Sequence, residues 1–170
     1  PLIQEKLSRR GDAHAVQPRV ISITQSTELG TLYSIEEIRA ISHFARAERL
    51  ILHMDGARIS NAAARLRTPF RDCTTDAGVD LLSFGGTKNG LMGAEAVVDL
   101  TGKYSQDLKY IQKQSMQLAS KMRFFSAQLI AILENNLWMR NAENANRMAS
   151  LLSEKLKVIS RVQITQRVEA

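Results

Sequence analysis

Cysteine, long apolar runs and low-complexity tracts are scarce or missing in this sequence, and each absence removes a class of protein. The 170 residues include one cysteine, Cys73, which excludes an internal disulfide framework and fits a reducing compartment. No apolar run approaches the ~18 residues of a membrane-spanning helix. No stretch has the basic start, apolar run and cleavage site of a secretory leader. We therefore expect a soluble, cytoplasmic chain without a membrane partner.

The composition that remains is that of an ordinary folded protein. Hydrophobic residues make up 44% of the chain and charged residues 24%, near the averages for globular proteins. Lys and Arg number 23 against 17 Asp and Glu, an excess that raises nucleic acid or an anionic membrane as partners. In the second half, however, the basic residues recur at roughly helical intervals among acids and amides, as on a solvated helix face or an interface. We therefore expect no nucleic-acid partner.

Short β-branched runs alternate with helical periodicity between residues 20 and 99, a pattern typical of β-α-β units around a parallel sheet. The predicted strands are Val20–Ile23, Leu50–Met54, Val79–Phe84 and Ala94–Leu100. Between the first two strands, Ser34 and Glu37 have the spacing of a capping box, and an apolar stripe with helical spacing follows. The sequence therefore predicts an α/β fold and a helix over 34–49.

The chain changes character after Asp99, where strand patterns give way to a stretch rich in Gln, Leu, Met, Lys and Ala. The predicted helices cover 106–119, 121–134 and 139–156, with a break at Asn135 and Asn136. Loose alternation over 158–168 predicts one more strand, which would have no partner in this chain. We therefore expect a truncated chain. The predicted domains are 1–134, part of a large domain, and 135–170, a connecting helix and the start of a small domain.

A glycine-rich turn carrying one lysine follows a strand of buried type in the segment Asp80-Leu81-Leu82-Ser83-Phe84-Gly85-Gly86-Thr87-Lys88-Asn89-Gly90. In open α/β sheets, ligands bind beyond the carboxyl ends of strands, and glycines there let the backbone turn or approach a ligand. A phosphate-binding P-loop needs Ser or Thr after its lysine, and no hydroxyl residue follows Lys88. The Lys88 amine instead suits covalent attachment of an aldehyde, although a lysine on an exposed turn would give the same pattern.

A second strand ends in a charged turn in the segment Leu50-Ile51-Leu52-His53-Met54-Asp55-Gly56-Ala57-Arg58. An aspartate at such a strand end can pair with the nitrogen of a pyridine ring and keep that nitrogen protonated. An aspartate there can also be the N-cap of the next helix. His53 and Asp55 point to the same strand face, but no third ligand is in view, so we expect no metal site.

The two segments read together point to one family, because pyridoxal-phosphate sites need an Asp strand and a Lys strand at one pocket. His53-Met54-Asp55-Gly56-Ala57-Arg58 and Ser83-Phe84-Gly85-Gly86-Thr87-Lys88-Asn89-Gly90-Leu91-Met92-Gly93-Ala94 resemble the threonine aldolase family of fold-type-I pyridoxal-phosphate enzymes. The similarity runs from about Asp12 to Gln128. It implies the large cofactor domain of such an enzyme, with a mainly parallel sheet truncated at both ends and helices leading into a small domain.

The resemblance also implies roles for single residues. Lys88 would bind pyridoxal 5'-phosphate covalently, Asp55 would pair with the pyridinium nitrogen, and Arg58 would lie beside the phenolic oxygen. Thr87 would contact the phosphate. His14 matches the histidine of the family's aspartate-x-histidine motif and would be a base near the substrate hydroxyl, although a loop histidine is otherwise a surface residue.

Two stretches bear on how far the resemblance extends. Met122-Arg123 matches a methionine-arginine pair of the family, which makes Arg123 a candidate substrate-binding residue. The usual glycine run before that pair is replaced by Leu118-Ala119-Ser120-Lys121. The stretch Thr24–Gly30 departs from the family's glutamate-asparagine-threonine pattern.

The reaction that the resemblance implies is retro-aldol cleavage of threonine or allo-threonine to glycine and acetaldehyde, in a homodimer or homotetramer. Another pyridoxal-phosphate lyase or an aminotransferase could use the same Lys88 and Asp55. Outside enzymes, the chain could be a catalytically dead fragment that acts in interactions through its basic helices. We expect this piece alone to be inactive, since relatives use further parts.

Overall fold

A four-stranded sheet forms the centre of the computed structural model, which describes residues 2–170; Pro1, the first residue of the predicted large domain, lies outside the described residues. The strands are β1 (Val20–Thr24), β2 (Ile51–Gly56), β3 (Leu81–Gly85) and β4 (Glu95–Asp99). Their order in the sheet is β1-β2-β3-β4, with β1, β2 and β3 parallel and β4 antiparallel to β3. The predicted α/β fold with a mainly parallel sheet is therefore confirmed.

Seven α-helices surround this sheet in the described part of the chain. They are α1 (Leu2–Glu5), α2 (Ile35–Ala47), α3 (Ile59–Leu66), α4 (Phe70–Cys73), α5 (Ser105–Gln114), α6 (Arg123–Leu133) and α7 (Leu137–Lys157). The predicted capping box is present at α2, where the Glu37 N–H donates to Ser34 Oγ at 3.1 Å and the Ser34 N–H donates to Glu37 Oε2 at 2.7 Å. None of the helices in residues 2–170 has the length and apolar character that a membrane crossing requires.

The reversed direction of β4 follows from the length of the connection before it. Parallel neighbours need a crossover of about a dozen residues or more. The segment from Gly86 to Ala94 is shorter than that and contains only one short 3-10 helix, Thr87–Asn89. The chain therefore turns back and pairs Gly85 with Glu95 at the same edge of the sheet.

The main core lies on one face of the sheet because the strands alternate in polarity. On β2, Leu52 and Met54 are fully buried, whereas His53 and Asp55 point to the opposite face and are half-buried. Ile38 of α2 packs into the same core with no exposed surface. The alternation thus places the polar residues of β2 on the less buried face of the sheet.

A second cluster joins α7 to the sheet domain. The Trp138 ring lies against the Phe70 ring with a centroid distance of 4.1 Å. Buried Ala63 of α3 and Ile132 of α6 complete the cluster. Helix α7, which begins the predicted small domain over 135–170, therefore packs directly on α3, and the division at residue 134 stays a prediction.

The helices after Asp99 match their predictions except at one end. The break at Asn135 and Asn136 is confirmed by their left-handed backbone, with φ of 51° and 56°. The helix predicted over 106–119 ends earlier, at Gln114, because Met116 takes a φ of 56° that cannot continue a helix.

The strand predicted over 158–168 is wrong. The segment is irregular, and Val158, Ile159 and Val162 are exposed, so no buried face holds them in a sheet. Instead, the N–H groups of Glu169 and Ala170 donate to the Gly30 carbonyl oxygen at 2.9 and 3.2 Å. The end of the described chain is therefore hydrogen-bonded to the loop after β1 and not to a partner strand.

Candidate active site

The two predicted site segments lie at the same edge of the sheet. Asp55 is opposite Ser83 in the register of β2 and β3, and both strands run in the same direction. Lys88 follows β3 by three residues, at the carboxyl end of the strand next to that of Asp55. This is the edge at which ligands bind in open α/β sheets.

Close backbone packing explains the glycines at this edge. A Cβ atom added to Gly85 would lie 2.5 Å from the Cα atom of Ala57, and one added to Gly86 would lie 2.6 Å from the Ala94 carbonyl oxygen. Neither position can hold a larger residue without moving backbone. The glycines therefore bring the end of β3 against the turn after β2.

Lys88 is exposed and lies in the middle of the 3-10 helix, in what we call the lysine turn (residues 86–90). The next residue, Asn89, is buried and donates from Nδ2 to the Trp138 carbonyl oxygen at 3.1 Å. The Asn141 side chain donates in turn to the Asn89 carbonyl oxygen at 2.9 Å. The turn is therefore fixed on one side by α7 while the Lys88 side chain stands free on the other.

Asp55 presents one unoccupied carboxylate oxygen at the site. Its Oδ1 accepts a hydrogen bond from the Ala57 N–H at 2.9 Å. Within residues 2–170, no hydrogen bond reaches Oδ2. The reading of Asp55 as a helix cap is wrong, because the N-cap of α3 is Arg58 and no side chain caps it. The free oxygen suits an N–H donor of a ligand.

Arg58 is held by Glu28, a residue that the sequence did not single out. Its Nη1 and Nη2 donate to Glu28 Oε1 at 2.8 Å and Oε2 at 3.1 Å. The hydrogen bonds from Arg58, its charge and the charge of Lys88 lower the pKa of Glu28. Glu28 is thus paired with Arg58 and also feels the positive charge of Lys88. Its only signal in the sequence was its place in the stretch 24–30 that departs from the family pattern.

Thr87 and Arg123 are two further predicted site residues, and each makes its own contacts. Thr87 is exposed in the lysine turn, and its N–H donates to Glu95 Oε1 at 3.1 Å. Arg123, the first residue of α6, lies with its guanidinium 5.0 Å from the Phe124 ring centroid. Thr87 therefore lies in the lysine turn, whereas the contact seen for Arg123 is with its neighbour Phe124.

His14 is exposed in the segment before β1, and its N–H donates to Asp12 Oδ1 at 2.8 Å. It belongs to a compact turn before β1, in which the Gln17 side chain donates to the carbonyl oxygens of Asp12 and Ala15. Arg10 of the same turn donates to Glu48, which ends α2 shortly before β2 begins. This anchors the turn near the amino ends of the strands. Within residues 2–170, no hydrogen bond joins the His14 side chain to the lysine turn, and its role as a base stays a prediction.

His53 bridges three strands on the less covered sheet face. Its Nδ1 lies 2.8 Å from Ser22 Oγ on β1, and its Nε2 lies 2.9 Å from Ser83 Oγ on β3. A hydroxyl can donate or accept, so both ring nitrogens have a partner in either tautomer. His53 therefore acts as a cross-strand connector next to Asp55.

Comparisons with known proteins agree on one family. A family model for beta-eliminating lyases matches residues 2–170. A low specificity L-threonine aldolase from Pseudomonas sp. (strain NCIMB 10558) is 46% identical over 168 residues, 99% of this chain and 49% of that protein. The low specificity L-threonine aldolase of Pseudomonas aeruginosa is 44% identical, with the same 99% and 49% coverage. The chain therefore spans about half the length of the curated relatives it matches.

A solved structure supports the fold as well as the family. The threonine aldolase of Leishmania major has a TM-score of 0.84 to this structure at 27% identity, covering 91% of this chain and 45% of that chain. The family match includes both site strands, the lysine turn and α7. The chain belongs to the beta-eliminating lyase family, and the relatives that it matches there are threonine aldolases.

Proposed function

We propose that the protein cleaves threonine or allo-threonine to glycine and acetaldehyde with pyridoxal 5'-phosphate as its cofactor. The observation that carries the proposal is the shared sheet edge of Asp55 and Lys88, with Arg58 beside them. The names of the matched Pseudomonas relatives support the same substrate class.

The residues at this edge fit the proposed cofactor. A free amine on Lys88 suits an aldehyde, and the unpaired Asp55 Oδ2 suits a ring N–H. The guanidinium of Arg58, 70% of whose side-chain surface is covered, suits an anionic oxygen. We propose Lys88, Asp55, Arg58 and Thr87 as the cofactor-binding residues.

Each of these residues has a distinct part in the proposed chemistry. The cofactor, when bound, supplies a protonated ring that takes up the electron pair released at the substrate Cα. Asp55 holds a proton on the ring nitrogen through its carboxylate, and Arg58 donates hydrogen bonds to an anionic oxygen. Lys88 Nζ would hold the cofactor covalently. Thr87 is proposed to contact the phosphate.

The overall reaction moves one proton and breaks one carbon–carbon bond. The Cα–Cβ bond breaks, the β-hydroxyl proton leaves as the acetaldehyde carbonyl forms, and a proton added at Cα completes glycine. His14 as the base and Arg123 as a substrate-binding residue are predictions that rest on the resemblance alone.

The assembly that we propose is a homodimer or homotetramer. Apolar side chains are exposed on the helices after Asp99, among them Ile111 at 52%, Phe124 at 59% and Ile130 at 57%. Apolar side chains are exposed in this way where they form an interface with another subunit. Light scattering on the purified full chain, by which we mean the intact protein that contains these 170 residues, measures the assembly. A monomer with complete threonine cleavage would contradict this proposal.

A direct assay tests the proposed reaction. The purified full chain is incubated with pyridoxal phosphate and threonine, and glycine and acetaldehyde are measured together. We expect both products in equal amounts, with no activity in the Lys88→Ala variant. Formation of a keto acid in place of glycine and acetaldehyde would contradict the proposal.

A further inference from the structure

Helix α7 is bonded to the lysine turn by the side chains of two asparagines. Asn89 Nδ2 donates to the carbonyl oxygen of Trp138 at 3.1 Å, and Asn141 Nδ2 donates to the carbonyl oxygen of Asn89 at 2.9 Å. We call this pair of bonds the lysine clamp. Since Asn89 is the next residue after Lys88, the clamp fixes the backbone from which the lysine side chain extends.

The same helix is bonded to the element that follows Arg58. Asn61 Nδ2 donates to Asn146 Oδ1 at 2.9 Å, and Asn146 Nδ2 donates to the Asn61 carbonyl oxygen at 2.9 Å. We call this reciprocal pair the arginine clamp. Asn61 lies in the first turn of α3, three residues after Arg58. Helix α7 thus holds both turns that carry the cationic residues of the site.

The surroundings of the clamps make them rigid. Asn89 is 7% exposed, and an amide buried without its partners is costly, so its hydrogen bonds are not easily exchanged for water. Trp138 and Ala142 of α7 are buried in the packing against the sheet domain. Gly90 allows this close approach, because a Cβ atom there would lie 3.1 Å from Asn141 Nδ2. Packing and hydrogen bonds therefore fix the position of α7 relative to both turns.

We infer that α7 sets the position of Lys88 relative to Arg58, with Asn141 and Asn146 as positioning residues. The inference rests on the proposed function, which gives Lys88 and Arg58 their roles toward one cofactor. Neither asparagine touches the reacting atoms in this account. A displacement of about 1 Å at a reacting group can cost about 100-fold in rate, so a small shift of the lysine turn has a measurable effect.

Isosteric variants remove single clamp bonds without changing side-chain size. Asn141→Asp removes one of the two donors of the lysine clamp, and Asn146→Asp removes one of the two donors of the arginine clamp. Asn144→Asp is the matched control, because Asn144 is exposed on the same helix and its side chain accepts a hydrogen bond from Arg147, outside both clamps. All three variants introduce the same charge into α7.

Hydrogen–deuterium exchange of the cofactor-free full chain reads each clamp separately. With Asn141→Asp we expect faster exchange over residues 86–90 and unchanged exchange over 58–62. With Asn146→Asp we expect the reverse, and with Asn144→Asp no change in either segment. Faster exchange throughout the sheet would indicate a general loss of stability and would overturn the inference, as would unchanged exchange in both clamp variants.

Two further readouts separate this inference from the proposed function. In the cofactor-loaded protein, we expect Asn141→Asp to lower kcat roughly 10-fold to 100-fold and to move the pH midpoint of the cofactor absorption band, with the cofactor still attached to Lys88. An unchanged midpoint and kcat would overturn the role of the clamp while the assignment of Lys88 stands. Equal cofactor attachment in Lys88→Ala would overturn the proposed function, whatever the exchange data show.

Discussion

Arg58 and Glu28 form a two-pronged ion pair at the carboxyl edge of the sheet, with N–O distances of 2.8 and 3.1 Å. The two residues come from different turns, one after β1 and one after β2. Glu28 is itself exposed, so the pair is screened by solvent, and its main effect is to orient the Arg58 guanidinium.

The first prediction concerns this ion pair. Glu28→Gln keeps the shape of the side chain but removes its charge, so Arg58 gains freedom. We expect KM for threonine to rise by less than about 5-fold, as suits an exposed pair. Kinetics at low and high salt measure the effect, which should shrink as salt screens the wild-type pair. Equal KM values for the wild type and Glu28→Gln at low salt would show that Arg58 is oriented without Glu28.

The pH dependence of the pair has a definite sign. The hydrogen bonds and charge of Arg58, with the charge of Lys88, lower the pKa of Glu28 below its ordinary value of 4.5. The contribution of the pair is therefore complete above that value and is lost as pH falls toward the lowered pKa. NMR titration of the Glu28 carboxyl group is expected to show a midpoint below 4.5, and Arg58→Gln is expected to raise it.

The second prediction concerns Asp55. Asp55→Asn retains the size of the side chain and the acceptor for the Ala57 N–H but loses the charge that keeps a ring nitrogen protonated. We expect the thermal unfolding of the variant to match that of the wild type and its turnover to fall by about 100-fold or more. Circular dichroism and the threonine assay measure the two effects. Near-normal turnover would leave Asp55 with only the turn contact to Ala57.

The third prediction concerns the core. Met54 is fully buried on β2, and Met54→Ala removes packing contacts and leaves a cavity in the core. We therefore expect the free energy of unfolding to fall by about 2–5 kcal/mol. Met116, which is 90% exposed, provides the matched control, and Met116→Ala should change stability by no more than about 0.5 kcal/mol. Urea unfolding measures both, and equal losses would contradict the assignment of the core.

The fourth prediction concerns the single cysteine. Burial raises the pKa of the Cys73 thiol from 9.0 to about 11, so the thiol stays protonated near neutral pH. Because the raised pKa belongs to the folded state, stability from this group is present below pH 9.0 and is lost as pH rises toward about 11. A thiol reagent should react slowly with the folded chain and rapidly in urea. Fast reaction of the folded chain would contradict the buried thiol.

The sequence pattern was sufficient for features that depend on neighbouring residues. Alternation placed His53 and Asp55 on one face of their strand, and the structure buries Leu52 and Met54 on the other, because side chains in a strand point to opposite faces in turn. The capping box at Ser34 and the break at Asn135 could also be predicted, because each depends on residues that are close together in the sequence. The short connection before β4 also contained the signal for an antiparallel strand, which the sequence interpretation did not use.

Features that depend on distant contacts could not be predicted. Glu28 meets Arg58 across 30 positions, and Asn61 meets Asn146 across 85 positions, so no local pattern encodes either pair. The strand predicted over 158–168 failed for the same reason, since alternation does not state whether a neighbouring strand exists. The motif that contains His14 was found in the sequence, but its position relative to the sheet depends on the contact between Arg10 and Glu48.

The most direct test of the account is the covalent attachment of the cofactor to Lys88. The full chain is loaded with pyridoxal phosphate, reduced with borohydride and digested, and the modified peptide is identified by mass spectrometry. The account predicts a pyridoxyl group on Lys88 that is absent in Lys88→Ala, while Lys103→Ala, a change at another exposed lysine, leaves it in place. A pyridoxyl group found only on other lysines would contradict the account.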